Sequence, residues 1–163
     1  MTWVQRKALG ESLERRVGHE LAARGWTVNR YGQGVLSEDI RAAMRSGASA
    51  LRWNPDLIAA RGDRVVTVDY KAQQPGRPTG RHAIECAAVK AHIRFIAMFE
   101  TPVFYVFDDL GVLSPHDVLG DGRPGPRSAN GSGTPYYLIE KDLDRDFDRV
   151  FGARRAADAG LAA

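Results

Sequence analysis

The chain of 163 residues has a net charge of +3 with 44% hydrophobic and 26% charged residues, the make-up of one ordinary soluble domain with a sizeable core. No apolar run approaches a membrane span and the N-terminal Met-Thr-Trp-Val-Gln-Arg-Lys has no signal-peptide core, so the expected setting is cytoplasmic, with no membrane partner. One cysteine, Cys86, excludes an internal disulfide, and four histidines leave little for a structural zinc site.

Charge is unevenly spread. Residues 1–100 hold 16 Lys/Arg against 10 Asp/Glu, a balance of +6, whereas residues 101–163 hold 7 against 10, a balance of −3. A basic first part suits a polyanionic partner. Arginine outnumbers lysine 19 to 4; guanidinium forks suit phosphate, and GC-rich coding produces the same bias.

In chain order, Leu9, Leu13, Val17 and Leu21 recur every four residues and predict a helix over 8–24 with one buried stripe. Glu14 sits beside that stripe, at the rim of whatever the helix covers. Gly25 stops the helix, and residues 26–31 form a first strand. Residues 32–53 read as an insertion: a Gly32-Gln33-Gly34 loop, then a short helix capped by Ser37 and running to about Arg45. Arg41, Arg45 and Arg52 are either phosphate clamps or solvated surface. Trp53 reads as packing rather than as a base-stacking wedge.

Residues 54–71 organise the rest. Two apolar runs, Leu57–Ala60 and Val65–Val68, flank Gly62-Asp63, a dipeptide suited to a type II′ hairpin turn. That turn pairs Ala60 with Val65 and, further along, sets Asp56 opposite Asp69. Facing like charges destabilise a hairpin unless both are solvated or a positive group sits between them. Alternation places Lys71 on the face of Asp69, with Tyr70 turned away. Two carboxylates and an ammonium at one end of a hairpin outline a hydrolytic metal site.

A loop over Gln73–Gly80 follows, then a predicted helix from Arg81 to Phe99 with Ile84, Ala88, Ala91, Phe95 and Met98 as its apolar side. His82, Glu85 and His92 fall on a neighbouring stripe, at intervals that do not match the i, i+4 histidine pair of zinc hydrolases. Pro102 ends the helix, and Val103–Phe107 reads as a strand buried on both faces of a mixed sheet covered by helices. Asp108-Asp109 reads as a turn. Ser114 caps a short helix with Pro115 at its first position. Residues 120–135, rich in Gly, Pro and Ser, read as a mobile loop, Tyr136–Glu140 as a last strand, and Asp144–Phe151 as a short acidic helix. The organisation is one domain over 1–151 with a disordered tail over 152–163.

The residues Pro55-Asp56 and Asp69-Tyr70-Lys71 resemble the active-site signature of the PD-(D/E)XK nuclease superfamily. The upstream Gly10-Glu11-Ser12-Leu13-Glu14-Arg15, on a helix that ends at Gly25-Trp26, is similar to the first helix of its archaeal Holliday-junction resolvases. The resemblance covers roughly residues 9–110, and the 32–53 insertion departs from compact resolvases. It implies an α/β, restriction-endonuclease-like core with a central mixed sheet flanked by helices. It further implies a Mg²⁺-dependent DNA endonuclease, with Mn²⁺ able to substitute, acting on DNA that includes branched forms, as a homodimer. Asp56, Asp69, Glu14 and the Tyr70 carbonyl would hold metal, Lys71 would hold the attacking water, and Gln73 would orient the phosphate. Arg41, Arg45, Arg52, Arg77, Arg81 and His82 complete the nucleic-acid-binding set. Same-fold nucleases of RNA or DNA ends, and an inactive binding module, are the competing readings.

Overall fold

The computed structural model describes residues 3–47, 49–71, 80–125 and 134–155, the side chains of 3–9 and 11 aside. The predicted positions Gln73 and Arg77, the side chain of Leu9, residues 126–133 of the predicted 120–135 loop and the tail beyond residue 155 lie outside the described residues.

The first helix, α1 (Trp3–Ala22), buries Leu13, Val17 and Leu21. It ends where Gly25 takes φ +79, a left-handed conformation that costs glycine least. Strand β1 (Thr27–Arg30) follows. The 32–53 segment folds as α2 (Glu38–Ser46) between two 3-10 turns, Gln33–Val35 and Ala50–Trp53. Ser37 stands at the N-cap of α2 without a side-chain cap bond; Glu38 and Asp39 in its first turn favour the helix through its dipole.

The hairpin then forms as β2 (Leu57–Arg61) and β3 (Arg64–Lys71). After the undescribed segment come β4 (Arg81–Glu85) and helix α3 (Cys86–Phe99). Strand β5 (Val103–Phe107) runs parallel to β3, and β6 (Val112–Leu113) turns back on it. Helix α4 (Pro115–Asp121) starts with a capping box between Ser114 and Asp117 and with Pro115 at its first turn. Strands β7 (Arg123–Pro124) and β8 (Tyr136–Glu140) precede α5 (Phe147–Phe151), capped by Asp146.

The main sheet is mixed, in the order β1-β2-β3-β5-β6, and a second sheet has the order β4-β8-β7. Alternation along β3 and β5 sorts two cores. Val66, Val68 and Val106 join Leu57, Trp26, Phe147 and Phe151 beneath α1, while Tyr105 and Phe107 join Ile84, Val89, Val118 and Ile139 on the other face. Burying each aliphatic side chain is worth roughly 1.5–3 kcal/mol, so the α1 stripe alone fixes which sheet face the helix covers.

Two expectations are corrected. The helix predicted from Arg81 begins at Cys86, because Arg81–Glu85 alternates exposed and buried and pairs antiparallel with β8. A period of two cannot be helical, and Ile84 belongs to the strand. The buried side of α3 is Ala88, Val89 and His92, whereas Met98 is 73% exposed. Strand β5 itself lies between β3 and β6, the inside position that its apolar run predicts. Residues Arg154 and Arg155, predicted to fray, are anchored: Arg154 pairs with Glu20, and the Arg155 amide donates to the Ala23 carbonyl at 2.9 Å.

Candidate active site

The hairpin turn is the type II′ the dipeptide predicts, since Gly62 has φ +63 while Asp63 is not among the positive-φ residues. The register pairs Ala60 with Val65 and Leu57 with Val68. One step beyond, Asp56 faces Asp69. Because Leu57 and Val68 turn into the core under α1, their neighbours Asp56 and Asp69 turn to the face covered by α3. The Tyr70 amide donates to Asp56 Oδ2 at 3.2 Å, and the Asp56 carbonyl accepts from Tyr31 and Gly32 at 2.8 and 3.2 Å. These bonds hold the residue after Pro55 against both neighbouring strands.

Gly32 is needed for that approach. A Cβ there would stand 2.7 Å from the Pro55 carbonyl oxygen and 3.0 Å from the Asp56 Cα, and backbone cannot swing away as a side-chain tip can. Gly32→Ala is expected to cost about 1–3 kcal/mol of stability by overpacking and to slow any reaction that needs Asp56 in place. An unchanged denaturation midpoint would show that this approach is not tight.

Asp69 is 7% exposed and lies 2.7 Å from Lys71 Nζ. Burial drives the Asp56 carboxyl well above the usual carboxylate range, and the Asp69 charge and its hydrogen bond push it further the same way. Burial opposes ionisation of Asp69 too, but Lys71, His92 and the bonds from Asp56 and Lys71 outweigh it and hold its carboxyl below its ordinary value. Burial also works against the Lys71 ammonium, and Asp69 followed by Asp56 more than restores it. The pair is therefore an ionised Asp69 on a charged Lys71, beside an Asp56 that keeps its proton to unusually high pH. Once Asp56 gives up that proton, the single Lys71 ammonium no longer balances the two carboxylates. A hard divalent cation fits this all-oxygen donor set, since Mg²⁺ takes one or two protein carboxylates and otherwise keeps water.

The other predicted residues divide. Glu14, 7% exposed, is held bidentately by Arg30, with Arg30 Nη2 3.1 Å from Oε2. Its charge is felt at Asp56, but it does not complete a tight three-ligand group with the two aspartates. Tyr70 packs its ring on the α1 core, near Gly10. Arg41 and Arg45 both pair with Glu38, at 2.8 and 2.7 Å, and Arg81 pairs with Glu140 at 2.6 Å. Arg52 stands 4.6 Å over the Trp53 ring and, with Gln33, Trp53 and Asn54, lines a cleft of about 250 Å³ that reaches Asp56, Asp69 and Lys71. The 32–53 segment is thus one wall of the site.

His82 does not line a groove. It is 1% exposed, stacks on Phe107 with ring centroids 3.4 Å apart, and places Nε2 2.7 Å from Asp144 Oδ2. With Asp109 and Asp144 it forms the one group of three such ligand atoms within 4.8 Å of one another among the described residues. Much of that charge is already balanced, because Lys141 Nζ lies 2.9 Å from Asp109. The Asp108-Asp109 turn expected from sequence is thereby tied to the end of β8.

Sequence reasoning missed His92 and Tyr105. The β3–β5 register places Tyr105 beside Asp69, and His92 Nδ1 lies 3.0 Å from the Tyr105 hydroxyl and 3.6 Å from Asp69 Oδ2. His92 stands four residues after Ala88 and so on the same helical face, and that spacing is the signal the sequence carried.

The cleft is thus bounded by paired acids and an amine, at one end of a mixed sheet. No protein-family model matches the sequence, and no curated protein matches it. Among solved structures the fold is similar to Hjc, a Holliday junction resolvase from the archaeal hyperthermophile Archaeoglobus fulgidus. The TM-score is 0.57 at 13% identity, over 90% of this chain and 98% of that one. A nuclease from a fusselovirus is similar at TM-score 0.50 and 13% identity, over 93% of this chain and 90% of that one. The α/β core with its central mixed sheet is the fold the sequence predicts.

Proposed function

We propose that this chain is a DNA endonuclease of the Holliday-junction-resolvase kind, hydrolysing phosphodiester bonds with a divalent cation, Mg²⁺ in the first instance. The observation that carries the reading is Asp56 facing Asp69 across the hairpin with Lys71 2.7 Å from Asp69, in a fold shared with an archaeal resolvase. Asp56 and Asp69 would hold the ion, with the Tyr70 carbonyl a further ligand by resemblance. When bound, such an ion supplies charge neutralisation for the phosphoryl oxygens and a lowered pKa for water.

The chain's own residues supply the rest. Lys71, kept charged by Asp69, donates to the attacking water and offsets negative charge developing on the phosphate. Tyr70 N–H fixes the orientation of the Asp56 carboxyl. Arg52 stands where the phosphate chain would enter. Glu14, on Arg30, borders the site and would orient water, while Gln73 would orient the scissile phosphate and Arg77 would meet the backbone beyond it. A two-fold homodimer matches the symmetry of a four-way junction, which sedimentation with and without junction DNA would read.

The test is a panel of four-way junction, duplex DNA, single-stranded DNA and RNA, each with Mg²⁺ and with chelator. Cleavage of the junction with Mg²⁺ alone is the expected result. Cleavage of RNA or of DNA ends instead would move the chain to another nuclease role. Binding without cleavage of any substrate would make it a binding module.

A further inference from the structure

His92 is 1% exposed, yet both its ring nitrogens are engaged: Nε2 lies 2.8 Å from the Trp53 carbonyl oxygen and Nδ1 3.0 Å from the Tyr105 hydroxyl. A carbonyl oxygen only accepts, so Nε2 carries the hydrogen, and Nδ1 of the neutral ring accepts from Tyr105. The bond from Nε2 leaves the core and ends on the turn Ala50–Trp53. Burial does not hold that turn in place, since Leu51 within it is 59% exposed. Its other ties are local: the Arg52 and Asn54 amides reach the Ser49 and Leu51 carbonyls at 3.2 and 3.1 Å, and Gln33 Nε2 reaches the Arg52 carbonyl at 2.6 Å. On this turn the Arg52 guanidinium rests over the Trp53 ring at 4.6 Å, in the wall of the cleft that holds Asp56, Asp69 and Lys71. Arg41 and Arg45 share the one carboxylate of Glu38 and Arg81 pairs with Glu140, whereas no carboxylate partner of Arg52 is found among the described residues.

We propose that His92 is a positioning residue: its bond to the Trp53 carbonyl pins the Ala50–Trp53 turn to α3 and so sets the Arg52 guanidinium beside the acid pair, where it grips a phosphate of the nucleic-acid chain. The identity of the ligand rests on the nuclease reading; the pin rests on geometry alone. The inserted 32–53 segment is then part of the substrate site, with its Ala50–Trp53 turn tied to α3 by the buried imidazole of His92.

The experiment uses the full chain with His92→Leu, which removes the donor, His92→Gln, whose amide still reaches a carbonyl, Arg52→Ala, and the Arg52→Ala/His92→Leu double variant. Amide exchange at Arg52 and Asn54 is expected to speed by about tenfold in the leucine variant while β3 is unchanged, and to return towards wild type with glutamine. Affinity for a fluorescein-labelled DNA oligonucleotide in chelator is expected to fall by roughly fivefold in both Arg52→Ala and His92→Leu, with the double variant no weaker than Arg52→Ala because the two act through one contact. Unchanged exchange in the leucine variant, or effects that multiply in the double variant, overturns the proposal. The predicted exchange pattern in a chain that binds no nucleic acid leaves the pin standing and sinks the nuclease reading instead. Should the leucine variant not fold, His92→Asn, with an amide too short to reach the Trp53 carbonyl, provides the same comparison.

Discussion

Lys71→Ala is expected to lower the single-turnover cleavage rate by about 10²- to 10³-fold, the usual loss when a preorganised donor to developing charge is removed. DNA binding should stay within a few-fold of wild type, because Arg52 and the surrounding basic surface remain. The structure explains why this one lysine matters. Asp69 keeps its ammonium charged and fixes it at 2.7 Å, at the end of a strand whose register leaves it no other place. Asp69→Asn should do at least as much damage while preserving shape, since it removes both the partner of Lys71 and half of the acid pair. Rapid quench with the preferred substrate of the panel measures both variants. Cleavage by either at the wild-type rate would remove Lys71 and Asp69 from the chemistry.

Metal-linked stability is the second large effect. A divalent cation that binds only the folded chain, taking the place of the proton on Asp56, should stabilise it. At a hundred times the dissociation constant the gain is about 2.7 kcal/mol, roughly 5–10 °C in Tm for a chain of this size. Its pH dependence follows from the direction of the shifts. Asp56 is raised in the folded state, so without a cation its contribution to stability is present below the unfolded pKa and is lost as pH rises through the folded value. Asp69 is lowered, so its contribution is present above its unfolded pKa and lost only as pH falls through the folded one. The cation competes with the proton on Asp56, and the Tm gain from Mg²⁺ or Mn²⁺ should be larger at pH 8 than at pH 5. Calorimetry at the two pH values decides it. A gain that is absent, or that survives Asp56→Asn together with Asp69→Asn, would place the ion elsewhere, with the His82, Asp109 and Asp144 group the next place to look.

Local chemistry in the chain determined a good deal by itself. A Gly-Asp dipeptide between two apolar runs dictates a II′ turn, and a ladder with a period of two then leaves Asp56 no partner but Asp69. The four-residue stripe of α1, the glycine after it, the Ser114-Pro115 start of α4 and the apolar run of β5 are likewise signals written within one or two turns of chain. What needed the tertiary structure was whatever depends on a partner distant in sequence. Arg81–Glu85 is a strand because β8, more than fifty residues on, offers its edge. His82 is buried because Phe107 and Asp144 close over it. Arg41, Arg45 and Arg81 pair with nearby carboxylates that composition could not assign to them. His92 reaches the site only because β5 sets Tyr105 beside Asp69 while the 50–53 turn brings a carbonyl to the other side of its ring. Short-range sterics and alternation act on neighbours along the chain, whereas burial and ion pairing act on neighbours in space, and only folding decides who those are.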